Sequence, residues 1–121
     1  MKIDYLEIPS KNMEITKDFF TRVFGWTFEC YGTEYMVFYG AGINGGFYFH
    51  PDLTCTTATG SILPVLYSED ITKTEKDIIQ AGGEVVKPLF AFPGGIRFHF
   101  IDPNGNEYAI WSDAKLPTGI V

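Results

Sequence analysis

Asp102-Pro103-Asn104-Gly105-Asn106 is the stretch from which the fold can be read. Asn-Gly tolerates left-handed backbone, and an Asp side chain bonds the backbone two residues on, so the run predicts a tight hairpin turn. It joins residues 96–101 to 107–111, both rich in strand-forming aromatic and branched side chains. Moving upstream, Pro93-Gly94-Gly95 reads as a second turn and 84–87 as a strand. Gly82-Gly83 ends a helix that runs to about Ala81. Thr72 and Glu75 have the Thr-x-x-Glu spacing of a capping box for that helix. Residues 62–67 supply one more strand, giving the order β-α-β-β-β.

The first half repeats the plan. Residues 2–9 alternate with both faces occupied, as a strand does. Asn12 is placed to cap a helix, and Glu14 suits its first turn. Ile15, Phe19 and Val23, with Phe20 and Phe24, follow at helical spacing, and Gly25 stops the helix. Strands follow at 26–31, at 35–39 and through the glycine-rich run Gly40–Gly46 to His50. Two similar units of about fifty residues point to an internal duplication. The expected organisation is one domain: module one at 1–50, a polar Thr-rich linker at 51–60, module two at 61–113 and a C-terminal tail at 114–121. The fold class is α+β, two βαβββ modules in tandem whose curved mixed sheets enclose a cavity.

Composition narrows the partners. The 121 residues are 45% hydrophobic, 17% aromatic and 20% charged, with a formal net charge of -6. This is globular composition with enough length for a core. The acidic balance argues against nucleic acid and anionic membranes as partners. No apolar run nears the ~20 residues of a membrane span. Met1-Lys2-Ile3-Asp4-Tyr5 is not the apolar stretch of a signal peptide, and Cys30 and Cys55 make no disulfide framework, so the expectation is a cytoplasmic protein with reduced thiols. Cys30, within a strand, is read as a small buried hydrophobe and Cys55 as a linker residue.

Three stretches resemble the vicinal oxygen chelate superfamily, which includes glyoxalase I, bleomycin resistance proteins, methylmalonyl-CoA epimerase and extradiol dioxygenases. They are Phe19-Phe20-Thr21-Arg22-Val23-Phe24-Gly25-Trp26, then Ser68-Glu69-Asp70-Ile71 with Gln80-Ala81-Gly82-Gly83, and the Asp102–Asn106 turn, the most specific of the three. The resemblance implies paired modules around a cavity, frequently a homodimer, and four metal ligands in the metal-dependent members, commonly His, Gln or Glu. Carried over by spacing, those places fall on Tyr5, Phe47 (or Gly46 in a shifted register), Leu63 and Ala109. Phe, Leu and Ala offer no donor, and a tyrosine hydroxyl is a poor one unaided. The expectation is therefore that no metal is held there and no cofactor is needed. A relocated divalent ion is the alternative, and His50 or His99 would then be its first candidates.

Strand alternation places Ile3 and Glu7 with Tyr5, Val65 and Tyr67 with Leu63, and Glu107 and Trp111 with Ala109. Tyr5, Phe47, Leu63, Tyr67, Ala109 and Trp111 are the candidate ligand-binding set. Its rings, with the Glu7 and Glu107 carboxylates on the same strand faces, suit an organic ligand with rings, and a cationic one in particular. Glu7 and Glu107 are candidate acids and bases, because a carboxylate in an apolar cavity titrates closer to neutrality. The competing reading, which strand-end positions favour, is that both are solvated or paired with Arg97 or a Lys. His99 is the third catalytic candidate. It shares a strand face with Arg97 and Ile101, and whether that face meets the cavity or the helix is open; His50, before Pro51, is expected to be exposed.

Three functions follow. The first is a metal-free protein of the glyoxalase/bleomycin-resistance type that binds a small organic molecule. The second is an enzyme, a glyoxalase-related lyase, isomerase or epimerase using Glu7, Glu107 or His99, in which Glu107→Gln would abolish turnover without lowering stability. The third is an interaction domain acting as a homodimer.

Overall fold

The computed structural model describes residues 1–116. Of the expected tail at 114–121, residues 117–121 lie outside the described residues. The chain forms β1 (Tyr5–Ser10), α1 (Met13–Phe24), β2 (Thr27–Cys30), β3 (Tyr35–Tyr39) and β4 (Asn44–Phe49), then β5 (Val65–Tyr67), α2 (Ile71–Gln80), β6 (Glu84–Phe92), β7 (Gly95–Ile101) and β8 (Glu107–Ser112). The strands make two four-stranded sheets, ordered β1-β4-β3-β2 and β5-β8-β7-β6. In each, the first strand lies parallel to the last and the other pairs are antiparallel. The same connectivity therefore occurs twice, as the sequence predicts. Neither sheet closes into a barrel.

Local chemistry sets the helix ends. Asn12 Oδ1 accepts from the Ile15 N–H at 3.1 Å, and Gly25 closes α1 in left-handed backbone at φ 72°. At α2 the expected Thr72 cap is replaced. Asp70 accepts from the Lys73 N–H at 3.3 Å, while Thr72 lies inside the first turn and bonds back to Asp70. Ile71 explains the earlier start: it is buried, so the helix begins where its first side chain enters the core. β6 runs five residues beyond the expected 84–87 because it is an edge strand. Its register shifts around Pro88, which has no N–H to donate, and an edge tolerates that.

The core is shared between modules. Phe20 of α1 packs against Phe47 of β4 and against Tyr108 of β8, with ring centroids 5.4 and 5.3 Å apart. Phe19 meets Phe100 of β7 at 6.1 Å. The Asp102–Asn106 hairpin also reaches back into module one. Asn106 donates to the Pro9 carbonyl at 2.7 Å, and Asn104 donates to Thr16 Oγ1 at 2.7 Å and to the Asn12 carbonyl at 3.1 Å.

The linker at 51–60 is docked. Cys55 donates its N–H to Asn106 Oδ1 at 2.8 Å, and its carbonyl accepts from the Glu107 N–H at 2.8 Å. Thr57 begins a 3-10 turn (Thr57–Thr59) that lies against β8. Cys30 is exposed at the end of edge strand β2, which corrects the expectation of a buried thiol. Among the described residues no helix is long and apolar enough to cross a membrane.

Candidate functional site

Register decides which side chains share a face. In the second sheet Val65, Ala109 and His99 lie side by side, as do Tyr67, Trp111 and Arg97, and Glu107 lies beside Ile101. Lys87 and Phe90 extend these rows onto β6. The opposite face carries Phe98, Phe100, Tyr108 and Ile110, all buried in the core. The face left open in the sequence reading is thus settled: His99 points away from the helices. In the first sheet Tyr5, Glu7 and Tyr35 occupy the helix-free face, together with Gly46, Tyr48 and Tyr39. Leu6, Ile8, Met36, Phe38 and Phe47 occupy the other.

Phe47 is therefore not a cavity residue. It is fully buried beneath α1, against Phe20 and Phe38. The place on the open face belongs to Gly46, opposite Glu7 and Val37. A Cβ at Gly46 would come within 2.6 Å of the Met36 carbonyl oxygen and 2.5 Å of the Tyr35 hydroxyl, so this place has no room for any side chain. Leu63 lies ahead of β5, which begins at Val65 rather than at 62. Ala109 sits on the open face between Val65 and His99, with no exposed surface of its own.

A chain of hydrogen bonds crosses the centre of the second sheet's open face. Arg97 Nη2 lies 3.0 Å from His99 Nε2, and His99 Nδ1 lies 2.8 Å from Glu107 Oε2. Glu107 Oε1 accepts from the Thr57 N–H at 2.8 Å and the Thr57 hydroxyl at 2.9 Å. A guanidinium only donates, so Nε2 of His99 must accept, and Nδ1 carries the proton given to Glu107. The chain fixes one tautomer and one ring orientation. His99 and Glu107 are each only 8% exposed. Burial pushes the Glu107 carboxyl up, but the hydrogen bonds from His99 and Thr57 outweigh it and hold the group below its ordinary range. That direction is opposite to the one expected of a general base in an apolar cavity.

The first sheet's open face is phenolic. The Tyr5 and Tyr35 hydroxyls are hydrogen-bonded, and Tyr31 and Tyr39 both donate to Glu29 Oε1, at 2.8 and 3.0 Å. Burial, then the neighbouring Tyr5 hydroxyl and Glu7 carboxylate, push the Tyr35 phenol up. Glu7 itself is exposed. Glu7 and Glu107 do line one pocket of about 210 Å³, with Leu6, Ile8, Pro64 and Tyr108. The two carboxylates differ there: Glu7 is exposed beside the Tyr35 phenol, and Glu107 is buried and spent on His99 and Thr57. His50 is half-buried rather than exposed, and its Nδ1 accepts from the Asp52 N–H at 3.1 Å.

A divalent ion does not fit the four inherited places. They hold Tyr5, a glycine with no room for a side chain, Leu63 and Ala109. His99 and Glu107 are donors of the right type nearby, but they bond each other. A guanidinium caps the remaining imidazole nitrogen, and a cation there would face Arg97. Arg97 shares the His99 face, as alternation alone predicts. Thr57 carried no such signal, because its contact with Glu107 spans 50 residues of chain.

A family model described as Glyoxalase/Bleomycin resistance protein/Dioxygenase superfamily matches residues 2–110. No curated protein matches the chain in sequence. Among solved structures, a glyoxalase/bleomycin resistance protein/dioxygenase family enzyme from Burkholderia phytofirmans PsJN superposes with a TM-score of 0.77. The two are 16% identical, over 93% of this chain and 98% of that one. A glyoxalase-related enzyme from Fulvimarina pelagi has a TM-score of 0.73 and 18% identity, over 93% and 88%. A possible glyoxalase from Bacillus cereus has a TM-score of 0.72 and 16% identity, over 92% and 98%. At these identities the likeness is one of fold.

Proposed function

We propose that this chain, which belongs to the Glyoxalase/Bleomycin resistance protein/Dioxygenase superfamily, binds a small organic molecule on the helix-free faces of its two sheets and holds no metal at the family's ligand places. The observation that carries the reading is the residue set on those faces. Tyr5, Tyr39, Val65 and Tyr67 stay 41–49% exposed there. Exposed aromatic surface flanking a fixed polar chain is how small-molecule sites combine burial with orientation.

The test has two arms. Protein purified without chelators or tags is assayed for metal by mass spectrometry, with thermal-shift runs in nickel, zinc, iron, manganese and cobalt. The expected result is less than about 0.1 metal per chain and an unchanged Tm. A fragment screen by protein NMR is expected to shift resonances on the open faces and leave the α1 and α2 surfaces unmoved. Stoichiometric metal, or hits confined to the helical side, would overturn the reading.

A second reading, a lyase, isomerase or epimerase, is favoured by the His99–Glu107 pair. A carboxylate that holds an imidazole in one tautomer is the usual support for a general base. Its working nitrogen is Nε2, which must first be released by Arg97.

A further inference from the structure

Arg97 stands out because its donors are not spent. A guanidinium has five N–H groups. One is given to His99 through Nη2. Nε is buried and has no hydrogen-bond partner, and Nη1 has none among the described residues. No carboxylate lies within ion-pair distance of Arg97 among the described residues; of the two acids on its face, Glu107 is paired with His99 and Glu84 makes no ion pair. A buried N–H left unpaired costs free energy, so an acceptor brought to this guanidinium would be bound with that cost relieved.

The surroundings say what kind of acceptor. The guanidinium carbon lies 5.9 Å from the ring centroids of both Phe90 and Phe92, and Phe92 meets Trp111 edge-on at 6.2 Å. Trp111 is the direct cross-strand neighbour of Arg97. Lys87, one row away, sits with its ammonium 4.8 Å above Phe90. Two cations among three aromatic rings on one face oppose the acidic balance of the chain as a whole, whose net charge is -6. Of the carboxylates near this face, Glu107 is bonded to His99 and Asp113 to the Tyr67 hydroxyl at 2.9 Å, while Glu84, beside Ile101 on the edge strand, is exposed and lies outside ion-pair distance of Arg97 and Lys87.

We propose that the open face of the second sheet binds an aromatic carboxylate, with its anionic end on Arg97 and its ring against Phe90, Phe92 and Trp111. This rests on the small-molecule reading above and replaces the cationic ligand suggested by the sequence with an anionic one. The planar fork of Arg matches a carboxylate in two parallel hydrogen bonds, and Lys87 adds long-range attraction. The His99–Glu107–Thr57 chain fixes the guanidinium from behind, so little orientation is lost on binding.

Three probes of one shape and different charge test this: 2-naphthoate, 2-naphthamide and 2-naphthylmethylammonium, titrated into the full chain and followed by NMR at the Arg97 Nε–H and Trp111 indole N–H. Naphthoate is expected to shift both signals and to bind about tenfold or more tightly than the amide. Arg97→Gln is expected to abolish that preference, and Arg97→Lys to keep only part of it, because the charge remains without the fork. The variants' dispersed spectra would show that they fold. Equal binding of the amide, or tighter binding of the ammonium, overturns the anion assignment and leaves the small-molecule reading standing. No shift at Arg97 with any of the three also overturns it. The small-molecule reading itself is decided separately by the fragment screen.

Discussion

Glu107→Gln keeps the shape of the side chain and changes only its hydrogen-bond parity, which makes it a sharp probe of the polar chain on the second sheet. In the native protein the carboxylate accepts three hydrogen bonds, from His99 Nδ1 and from the Thr57 N–H and hydroxyl. A glutamine carbonyl can still satisfy Thr57, but its NH2 group then meets the Nδ1–H of His99, donor against donor. Moving the imidazole proton to Nε2 relieves that clash and creates another with Arg97. No tautomer satisfies every partner. A hydrogen bond to a charged group contributes about 1.5–3 kcal/mol, and the site is buried, so a loss of about 2–3 kcal/mol at neutral pH is expected. The sequence alone suggests that this substitution spares stability; the hydrogen bonds of Glu107 predict the opposite.

Urea unfolding of both proteins across pH measures the effect. The Glu107 carboxyl is held below its ordinary range when folded, so its contribution is complete above the unfolded pKa and lost as pH falls through the lower folded one. The gap between wild type and variant should therefore close in acid. Nitrogen shifts of the His99 ring report the tautomer directly. A difference under about 0.5 kcal/mol at pH 7, with the Nδ1–H tautomer intact in the variant, would refute the reasoning.

Other substitutions separate the remaining interactions. Phe47→Ala opens a cavity beneath α1 and is expected to cost about 3–5 kcal/mol by denaturation; a cost below 1 would return Phe47 to the open face. Asn106→Ala leaves the Cys55 N–H and the Pro9 carbonyl without partners and is expected to cost about 2–4 kcal/mol, read as a lower urea midpoint with unchanged m-value. Gly46→Ala forces a methyl against backbone and is expected to lower Tm or soluble yield sharply, whereas Tyr5→Phe, which removes one exposed hydroxyl bond, should cost less than about 1 kcal/mol.

Local signals made most of the architecture legible. Asn12 and Gly25 framed α1, the Asp102–Asn106 run framed the last hairpin, and the repeated order exposed the duplication. The errors came where a local rule met a tertiary competitor. Thr72 and Glu75 had the right spacing for a cap, but burial of Ile71 moved the start of α2 to Asp70. Phe47 was one residue out of register, and with a strand period of two a single step moves a side chain to the other face. His99, Glu107 and Arg97 were visible as candidates because alternation groups them. Their wiring was not, since it depends on Thr57, whose approach to β8 is set by how the linker docks.

The interlocked core has a kinetic consequence. Asn106 and Pro9 are 97 residues apart in sequence, and the aromatic side of α1 is completed by Phe100 and Tyr108. Contacts of such high sequence separation are slow to find, because the loop must close before they return any free energy. During synthesis the first module therefore emerges with Phe19 and Phe20 only partly covered, and it waits for the last hairpin to leave the ribosome. Until then that aromatic side is uncovered, and the native core waits on the last loop to close.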